Sequence, residues 1–325
     1  MIDIAVTLDY EIFGNGTGDV KCCMIRPTRD VLEVCRRWGA RLTLFFEIGE
    51  YWAFKAAEED GRLDRLGYHP SRLMKDQAVA AVRSGHDVQL HPHGQWLDSR
   101  YTQSGWRLNF DNVQLPRLNR PVNAARGIPS ISEVLLQGKR ELEDWLRPEA
   151  EDYECIVLRG GSYSLQPFQA IWTAMEEVGF IADSTVFKGG YLIDDPQYAD
   201  FRNAHSDCLP WRIDPLDINR PASTNSASRV WEIPIFARTL SPLALVRPAR
   251  IRRRLTGHSP TNPYGCEGVL MTGPVHRGGL DRIKRLLRDL VRPITVQWDY
   301  CYLTADEMWQ FLEHVLKTQD IENRY

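Results

Sequence analysis

The chain has 325 residues, of which 43% are hydrophobic and 26% charged, which is enough for one α/β barrel or two ordinary domains. This composition excludes a disordered or collagen-like chain. The 40 basic and 43 acidic side chains leave a net charge of −3, which gives no reason to expect a nucleic-acid partner.

The seven cysteines lack the paired spacing of a zinc ribbon or a redox motif. We therefore expect mostly reduced, buried thiols in a reducing compartment. The first residues alternate like a strand rather than a signal peptide, and no stretch approaches the roughly 20 apolar residues of a transmembrane helix. The sequence thus predicts a soluble, cytoplasmic protein.

Short apolar or alternating runs recur between stretches of helical periodicity, which is typical of β-α units. The eight predicted strands are Ile2–Leu8, Leu42–Phe46, Asp87–His91, Cys155–Leu158, Phe180–Asp183, Val230–Ile235, Gly268–Thr272 and Ile294–Gln297.

Four helices are predicted from apolar stripes and capping signals. Val31 to Trp38 repeat at helical spacing before Gly39, a candidate C-cap. Ser130 to Glu133 form a capping box before a second helix that reaches Trp145. Two later helices are predicted at residues 283–290 and at residues 304–316, the second opening with another capping box.

Two long segments interrupt this rhythm. Asp98 to Pro129 is polar and rich in turn residues, and with the helix that follows it forms an insertion at about residues 98–150. Residues 188–229 are crowded with Pro, Asp, Asn and Ser. Loops of this length are usually functional. In a barrel, both would project over a site at the carboxyl ends of the strands.

The first and third strands end in residues that suit a metal site. Asp9 and Glu11, two positions apart, can point into one cleft as a metal ligand and a base. His91 and His93 alternate onto one face, so their imidazoles can bind one divalent ion, with Gln95 beside them.

Other strands also end in polar groups. Arg159 begins a Gly-rich turn that includes Tyr163, and it can hold a site carboxylate ionised or bind an anion. Asp183 follows the fifth strand, and His276 follows the seventh, where it can donate a proton. Polar groups thus follow five strands, which favours one common mouth and a single domain over residues 1–325.

The order of these motifs resembles the NodB-homology polysaccharide deacetylases of carbohydrate esterase family four, over roughly residues 3–280. Thr7 to Glu11 is similar to the family's first motif, Gly85 to His91 to its second and Arg159 to Tyr163 to its third. Asp183 resembles the fourth motif, and His276 matches the histidine of the fifth.

The resemblance implies a deformed (β/α)7 barrel, a divalent metal, usually zinc, and hydrolysis of an N-acyl group on an amino sugar of a surface polysaccharide or its precursor. The chain departs from the family at two positions. Tyr10 replaces the usual metal-binding aspartate, and Gln95 occupies the place of the second histidine ligand.

We therefore expect Asp9, His91 and His93 to hold Zn²⁺ with an open position, while Glu11, or Asp9 if it is not a ligand, accepts the water's proton. His276 would protonate the amine, and Arg159 and Asp183 would orient these groups. The aromatic platform for a sugar ring would be Trp96, Trp106 and Tyr163.

Two other functions remain open at this stage. One is hydrolysis of small non-sugar amides, and the other is a non-catalytic glycan-binding descendant without metal. A further local feature is the basic stretch Arg247 to Arg254, which is either a solvated helix face or a peripheral patch for phosphate or membrane surfaces.

Overall fold

The structure is a computed structural model that describes residues 5–224 and 228–236, together with the strand segments 238–240 and 294–296. Some predictions lie outside the described residues: the strand Gly268–Thr272, the helices at 283–290 and 304–316, the proton donor His276 and the basic stretch Arg247–Arg254.

The described strands form one large sheet and three small two-stranded sheets. In chain order the strands are β1 Val6–Tyr10, β2 Leu42–Glu47, β3 Asp87–His91, β4 Arg100–Thr102, β5 Gly105–Arg107, β6 Val157–Leu158, β7 Ala182–Asp183, β8 Tyr191–Asp194, β9 Gln197–Asp200, β10 Trp211–Asp214, β11 Asp217–Pro221, β12 Trp231–Glu232, β13 Arg238–Leu240 and β14 Ile294–Val296.

The large sheet has the strand order β1-β2-β3-β6-β7-β12-β10-β11. The first six strands are parallel, and each lies beside the next strand of the predicted β-α series. The last two strands are antiparallel additions at one end. All six parallel strands therefore bring their carboxyl ends to the same edge of the sheet.

The large, mostly parallel sheet with its helices makes this a mixed α/β fold. Parallel strands in sequential order are typical of a (β/α) barrel, whereas a doubly wound sheet reverses its order. Among the described strands, no pairing joins the β1 edge to the β11 edge. Closure into the deformed barrel, and the single domain over residues 1–325, therefore stay predictions.

The strand predictions differ in accuracy. The third predicted strand matches β3 residue for residue, while β1 extends past the predicted end at Leu8 to Tyr10. The strand predicted at Ile294–Gln297 is confirmed over Ile294–Val296, where β14 pairs antiparallel with β13.

The described α-helices flank this sheet: α1 Arg26–Trp38, α2 Ile48–Glu59, α3 Pro70–Arg83, α4 Pro121–Ala125, α5 Ile131–Leu146 and α6 Gln169–Val178. The two predicted capping signals that lie within the described residues are confirmed. Gly39 ends α1 in the left-handed conformation, at φ 63°, and the Ser130–Glu133 capping box opens α5. Within the described residues, every helix is too short or too polar to cross a lipid bilayer.

The two insertions contain regular structure of their own. Residues 98–129 hold the β4–β5 hairpin and α4, and residues 188–229 hold the β8–β9 hairpin and the added strands β10 and β11. No disulfide joins the described cysteines, and Cys35 and Cys155 are buried thiols, in line with the expected reduced core cysteines.

Candidate metal centre

Three potential metal ligands converge at the carboxyl edge of the sheet. Glu11 follows β1, His91 is the last residue of β3, and His93 comes two residues later. Their ligand atoms all lie within 4.8 Å of one another. Glu11 Oε2 is 3.1 Å from His93 Nε2 and 3.6 Å from His91 Nε2. Two imidazoles and a carboxylate form a donor set typical of catalytic zinc sites.

The atoms of these three side chains that face one another are also suited to binding a cation. Glu11 Oε2 is buried and accepts no hydrogen bond from any described residue. The two Nε2 atoms of His91 and His93 lie only 3.2 Å apart. A buried anionic oxygen facing two imidazole nitrogens is costly by itself, and a shared divalent ion satisfies all three atoms.

Hydrogen bonds on the far side of each imidazole determine which nitrogen is available. His91 Nδ1 lies 2.8 Å from the carbonyl oxygen of Arg159, so Nδ1 donates to that carbonyl and Nε2 is the nitrogen that can face a metal ion. His93 Nδ1 lies 2.8 Å from the amide nitrogen of Gln95, whose Oε1 is buried without a partner. Turning that amide by 180° lets Oε1 accept the Nδ1 proton and frees His93 Nε2 in the same way.

The two histidines have opposite pKa shifts. Burial lowers the pKa of His91, but the nearby carboxylates of Asp9, Glu11 and Glu47 outweigh this effect and raise it to about 9. Burial lowers the pKa of His93 to about 4, and the charge of His91 adds to that effect. At neutral pH the metal-free pair therefore carries one positive charge, on His91, and a metal ion must displace the extra proton from that ring.

Asp9 lies beside this centre in a different environment. Arg159 Nη1 donates to Asp9 Oδ1 at 2.7 Å, and the Asp9 side chain is 30% exposed. Burial would raise the pKa of Asp9, but Arg159, followed by His91, more than offsets burial and lowers it. Asp9 is thus an ionised carboxylate with a fixed orientation and access to solvent.

Arg159 is almost fully buried, and its hydrogen bonds are made inside the protein. Nη2 donates to Thr7 Oγ1 and Ser184 Oγ, both at 3.1 Å, and Nε donates to the carbonyl of Ser184 at 2.8 Å. The guanidinium lies 3.8 Å from the centre of the Phe45 ring. Of the two roles considered for Arg159, the structure therefore favours holding a carboxylate over binding an anionic ligand.

The structure changes the expected carboxylate ligand. The sequence-based assignment placed Asp9 with His91 and His93, whereas the structure groups Glu11 with the two histidines. The physical reason is that Arg159 already binds the Asp9 carboxylate, while Glu11, just beyond the end of β1, faces the imidazoles. Tyr10 points the opposite way, and its hydroxyl donates to Gln77.

Sequence reasoning missed Glu47, the last residue of β2. Its side chain is fully buried, and Oε1 accepts from the backbone nitrogens of Gly49 and Glu50 at the start of α2. Glu47 Oε2 has no hydrogen-bond partner among the described residues and lies 3.8 Å from His93 Nδ1. Burial raises the pKa of Glu47 to about 8.

Glu50 was missed as well. It is fully buried, and both of its oxygens accept from the backbone nitrogen of Ile12, the residue after Glu11. The sequence did contain a signal for both residues, because two acids follow the second apolar strand in the run Phe46-Glu47-Ile48-Gly49-Glu50. The carboxyl end of this strand lies at the same edge of the sheet as the ends of the first and third strands.

The remaining predicted site residues differ in how deeply they are buried. Asp183 is fully buried behind Arg159, and Tyr163 is half-buried with its ring centre 4.9 Å from that of Phe187. Trp96 cannot form a sugar platform, because it is 2% exposed and packs against Trp106 and other aromatic rings in the core. Its ring is covered by the β4–β5 insertion, which the sequence pattern did not indicate.

Comparison with known proteins gives little similarity. No family model and no curated protein matches the chain. Among solved structures, a candidate polysaccharide deacetylase from Mycobacterium smegmatis is 14% identical, with a TM-score of 0.38. The alignment covers 71% of this chain, and the chain spans 57% of the length of that protein.

Proposed function

We propose that this protein is a metal-dependent hydrolase that removes an N-acyl group, acetyl or formyl, from an amino sugar of a surface polysaccharide or its precursor. The observation that carries the proposal is the convergence of Glu11, His91 and His93 beside the ionised carboxylate of Asp9. A metal centre with an adjacent carboxylate base supports metal-dependent hydrolysis of an amide.

Glu11, His91 and His93 would hold the divalent ion, Zn²⁺ or another metal. When bound, such an ion polarises the amide carbonyl and makes a water molecule more acidic. His91 and His93 can both offer Nε2, since their other ring nitrogens face Arg159 and Gln95.

Asp9 then has the role of general base. Its carboxylate accepts the proton of the attacking water, and Arg159 keeps that carboxylate ionised and oriented. The departing amine needs a proton, for which the proposed donor is His276, outside the described residues.

The choice of an amino sugar comes from the motif resemblance. Two of the aromatic residues expected to support a sugar ring, Trp106 and Tyr163, are partly exposed, although each also packs against other aromatic rings. The acyl group and the length of the glycan are left to experiment.

The non-catalytic alternative arose from Tyr10 and Gln95, which replace family ligands. Neither residue is needed as a ligand in the proposed site, because Glu11 and His93 supply the atoms instead. We therefore favour catalysis over metal-free glycan binding.

The test is hydrolysis of N-acetylated and N-formylated amino sugars and oligosaccharides by the purified protein. A chelator should abolish release of the acyl group, and added Zn²⁺ or Co²⁺ should restore it. Asp9→Asn should keep its metal and lose about 10² to 10⁴-fold in turnover, the range for losing a general base.

Asp30→Asn, at an exposed position on α1, is the matched control and should keep full activity. Chelator-insensitive hydrolysis, or normal turnover by Asp9→Asn, would contradict the proposal.

A further inference from the structure

Two fully buried acids face each other on neighbouring strands behind Arg159. Glu232 on β12 is directly paired with Asp183 on β7, and neither side chain is exposed to solvent. Paired positions on adjacent strands point to the same face of a sheet, so the two carboxyl groups lie side by side in the interior. Two ionised carboxylates have only acceptor atoms and repel each other, so their joint burial favours one shared proton on the pair.

The surroundings assign that proton to Glu232. Asp183 accepts from the Thr185 backbone nitrogen at 3.0 Å and from the Thr185 hydroxyl at 2.9 Å, and these donors stabilise its negative charge. Glu232 Oε1 accepts from the Val186 nitrogen, whereas its buried Oε2 receives no donor from the described residues. An oxygen without a donor suits a hydroxyl that donates to Asp183.

The charges around the pair agree with this assignment. Burial, followed by the negative charge of Asp183, raises the pKa of Glu232 well above its usual range. Among the described residues, the charged group facing Asp183 from the neighbouring β6 end is Arg159. On the other side, β10 contributes the uncharged Trp211 opposite Glu232.

Hydrogen bonds connect this pair to the turn that carries Arg159. Thr185 Oγ1 donates to Asp183 and accepts from the Gly160 nitrogen at 2.8 Å. Ser184 accepts from Arg159 through its carbonyl oxygen and its hydroxyl. The Asp183–Thr185 segment thus fixes both the side chain of Arg159 and the backbone next to it.

That turn in turn fixes two groups of the candidate site. The guanidinium of Arg159 orients Asp9, and its carbonyl oxygen bonds to His91 Nδ1. A shift of the turn would therefore move a proposed base and a proposed ligand together.

We propose that Glu232 is a positioning residue: a neutral carboxylic acid that donates to Asp183 and so holds the Arg159–Gly160 turn, Asp9 and His91 in place. This inference rests on the proposed function for the roles of Asp9 and His91. The protonation of Glu232 itself can be tested without that function.

Glu232→Gln and Glu232→Leu are the informative variants. Glutamine keeps a donor for Asp183 and an acceptor for Val186. The kcat/KM of Glu232→Gln should therefore stay within about threefold of the wild type, a smaller change than the loss of one hydrogen bond would cause. Leucine has a similar volume and no donor. We expect its kcat to fall by about 10²-fold with KM little changed, the size of a small misplacement of reacting groups.

Binding of Co²⁺ gives a second readout that does not depend on turnover. Glu232→Leu should bind Co²⁺ about 10-fold or more weakly, as expected when a partner of a ligand is displaced, and Glu232→Gln should match the wild type. Equal Co²⁺ affinity and equal kcat in all three proteins would overturn the positioning role.

The protonation state is tested by urea unfolding of wild type and Glu232→Gln between pH 5 and pH 8, without metal. The folded protein holds a proton on Glu232 that the unfolded chain releases above its ordinary pKa. Stability of the wild type relative to Glu232→Gln should therefore fall as pH rises, by up to about tenfold in the unfolding constant per pH unit.

Parallel pH curves for the two proteins would overturn the inference. If the curves diverge and Co²⁺ affinity follows the expected order while no amide is hydrolysed by the wild type, the inference stands and the proposed function fails.

Discussion

Replacing Arg159 by methionine should remove the group that holds Asp9. Methionine keeps much of the side-chain volume beside the Phe45 ring, but it loses the hydrogen bonds to Asp9, Thr7 and Ser184. The carboxylate of Asp9 then loses its hydrogen-bonded ion-pair partner and keeps only the charge of the nearby His91, and the Ser184 carbonyl loses its donor.

The expected loss of stability follows from the burial of the pair. Removing one partner of a buried ion pair costs about 3–5 kcal/mol, and surface pairs contribute far less. Arg159 is 4% exposed and Asp9 is 30% exposed, so water can partly hydrate the remaining carboxylate. We therefore expect Arg159→Met to lower the free energy of unfolding by about 3 kcal/mol, the lower end of that range.

The loss should depend on pH in a defined direction. Arg159 lowers the pKa of Asp9 in the folded protein against the effect of burial. The stability from this pair is thus present above the unfolded pKa of about 3.9 and is lost as pH falls through the folded value. The difference in stability between wild type and Arg159→Met should be largest near neutral pH and should shrink as pH falls below about 4, leaving the pH-independent part from the bonds to Thr7 and Ser184.

Urea unfolding of the metal-free proteins at several pH values measures this difference, and the pH profile of kcat/KM supplies a second readout. The acidic limb of that profile should move to higher pH in Arg159→Met, because Asp9 becomes easier to protonate. Arg36→Met, at an exposed surface pair on α1, is the control and should change neither measurement. A stability difference as large at pH 3 as at pH 7 would refute the reasoning.

Three further outcomes test the surroundings of the centre. Gln95→Leu removes the partner of His93 and should weaken metal binding by about 10–100-fold in a competition titration with a chelator; unchanged affinity would contradict this role. Gly161→Ala should also weaken binding, since its Cβ would overlap the His93 ring, whereas Gly14→Ala adds a methyl group with nothing within 4 Å and should not. Glu47→Gln should change how stability depends on pH, because burial raises the pKa of Glu47 to about 8. In urea unfolding without metal, the stability of the wild type relative to the variant should fall from about pH 5 to pH 8, by up to about 1.4 kcal/mol per pH unit. Parallel stability curves for the two proteins would contradict a raised pKa.

Local patterns were sufficient for much of the fold. Alternation along β3 correctly placed its ends, and it put His91 and His93 on one face because side chains repeat every two residues in a strand. The Gly39 cap and the Ser130 capping box are likewise set by nearby residues. These features depend on spacing within a few positions, which the sequence displays directly.

Contacts between residues that are far apart in the chain were harder to predict from the sequence. Asp9 and Arg159 are 150 positions apart, and only the order of strands β1 and β6 around the sheet brings them together. The sequence left open whether Asp9 or Glu11 binds metal, because both follow the same strand with the same parity. The difference is made by Arg159, which pairs with one of the two carboxylates.

The burial of the acidic side chains was the hardest feature to predict from the sequence. Glu47 and Glu232 each end a short apolar strand, where a single acid is usually solvated, and only the three-dimensional structure shows that both are fully buried. The same holds for Trp96, which follows the histidines in sequence but is covered by the β4–β5 hairpin. Side-chain burial in these cases is decided by segments far away in the chain.

Metal stoichiometry of four proteins tests the central claim most directly. The wild type and Asp9→Asn should each bind one divalent ion per chain after saturation and desalting, because in the proposed function Asp9 is the base and not a ligand. Glu11→Gln and His91→Ala should lose bound metal, because each removes one of three ligands. Full metal content in Glu11→Gln, together with its loss in Asp9→Asn, would contradict the account.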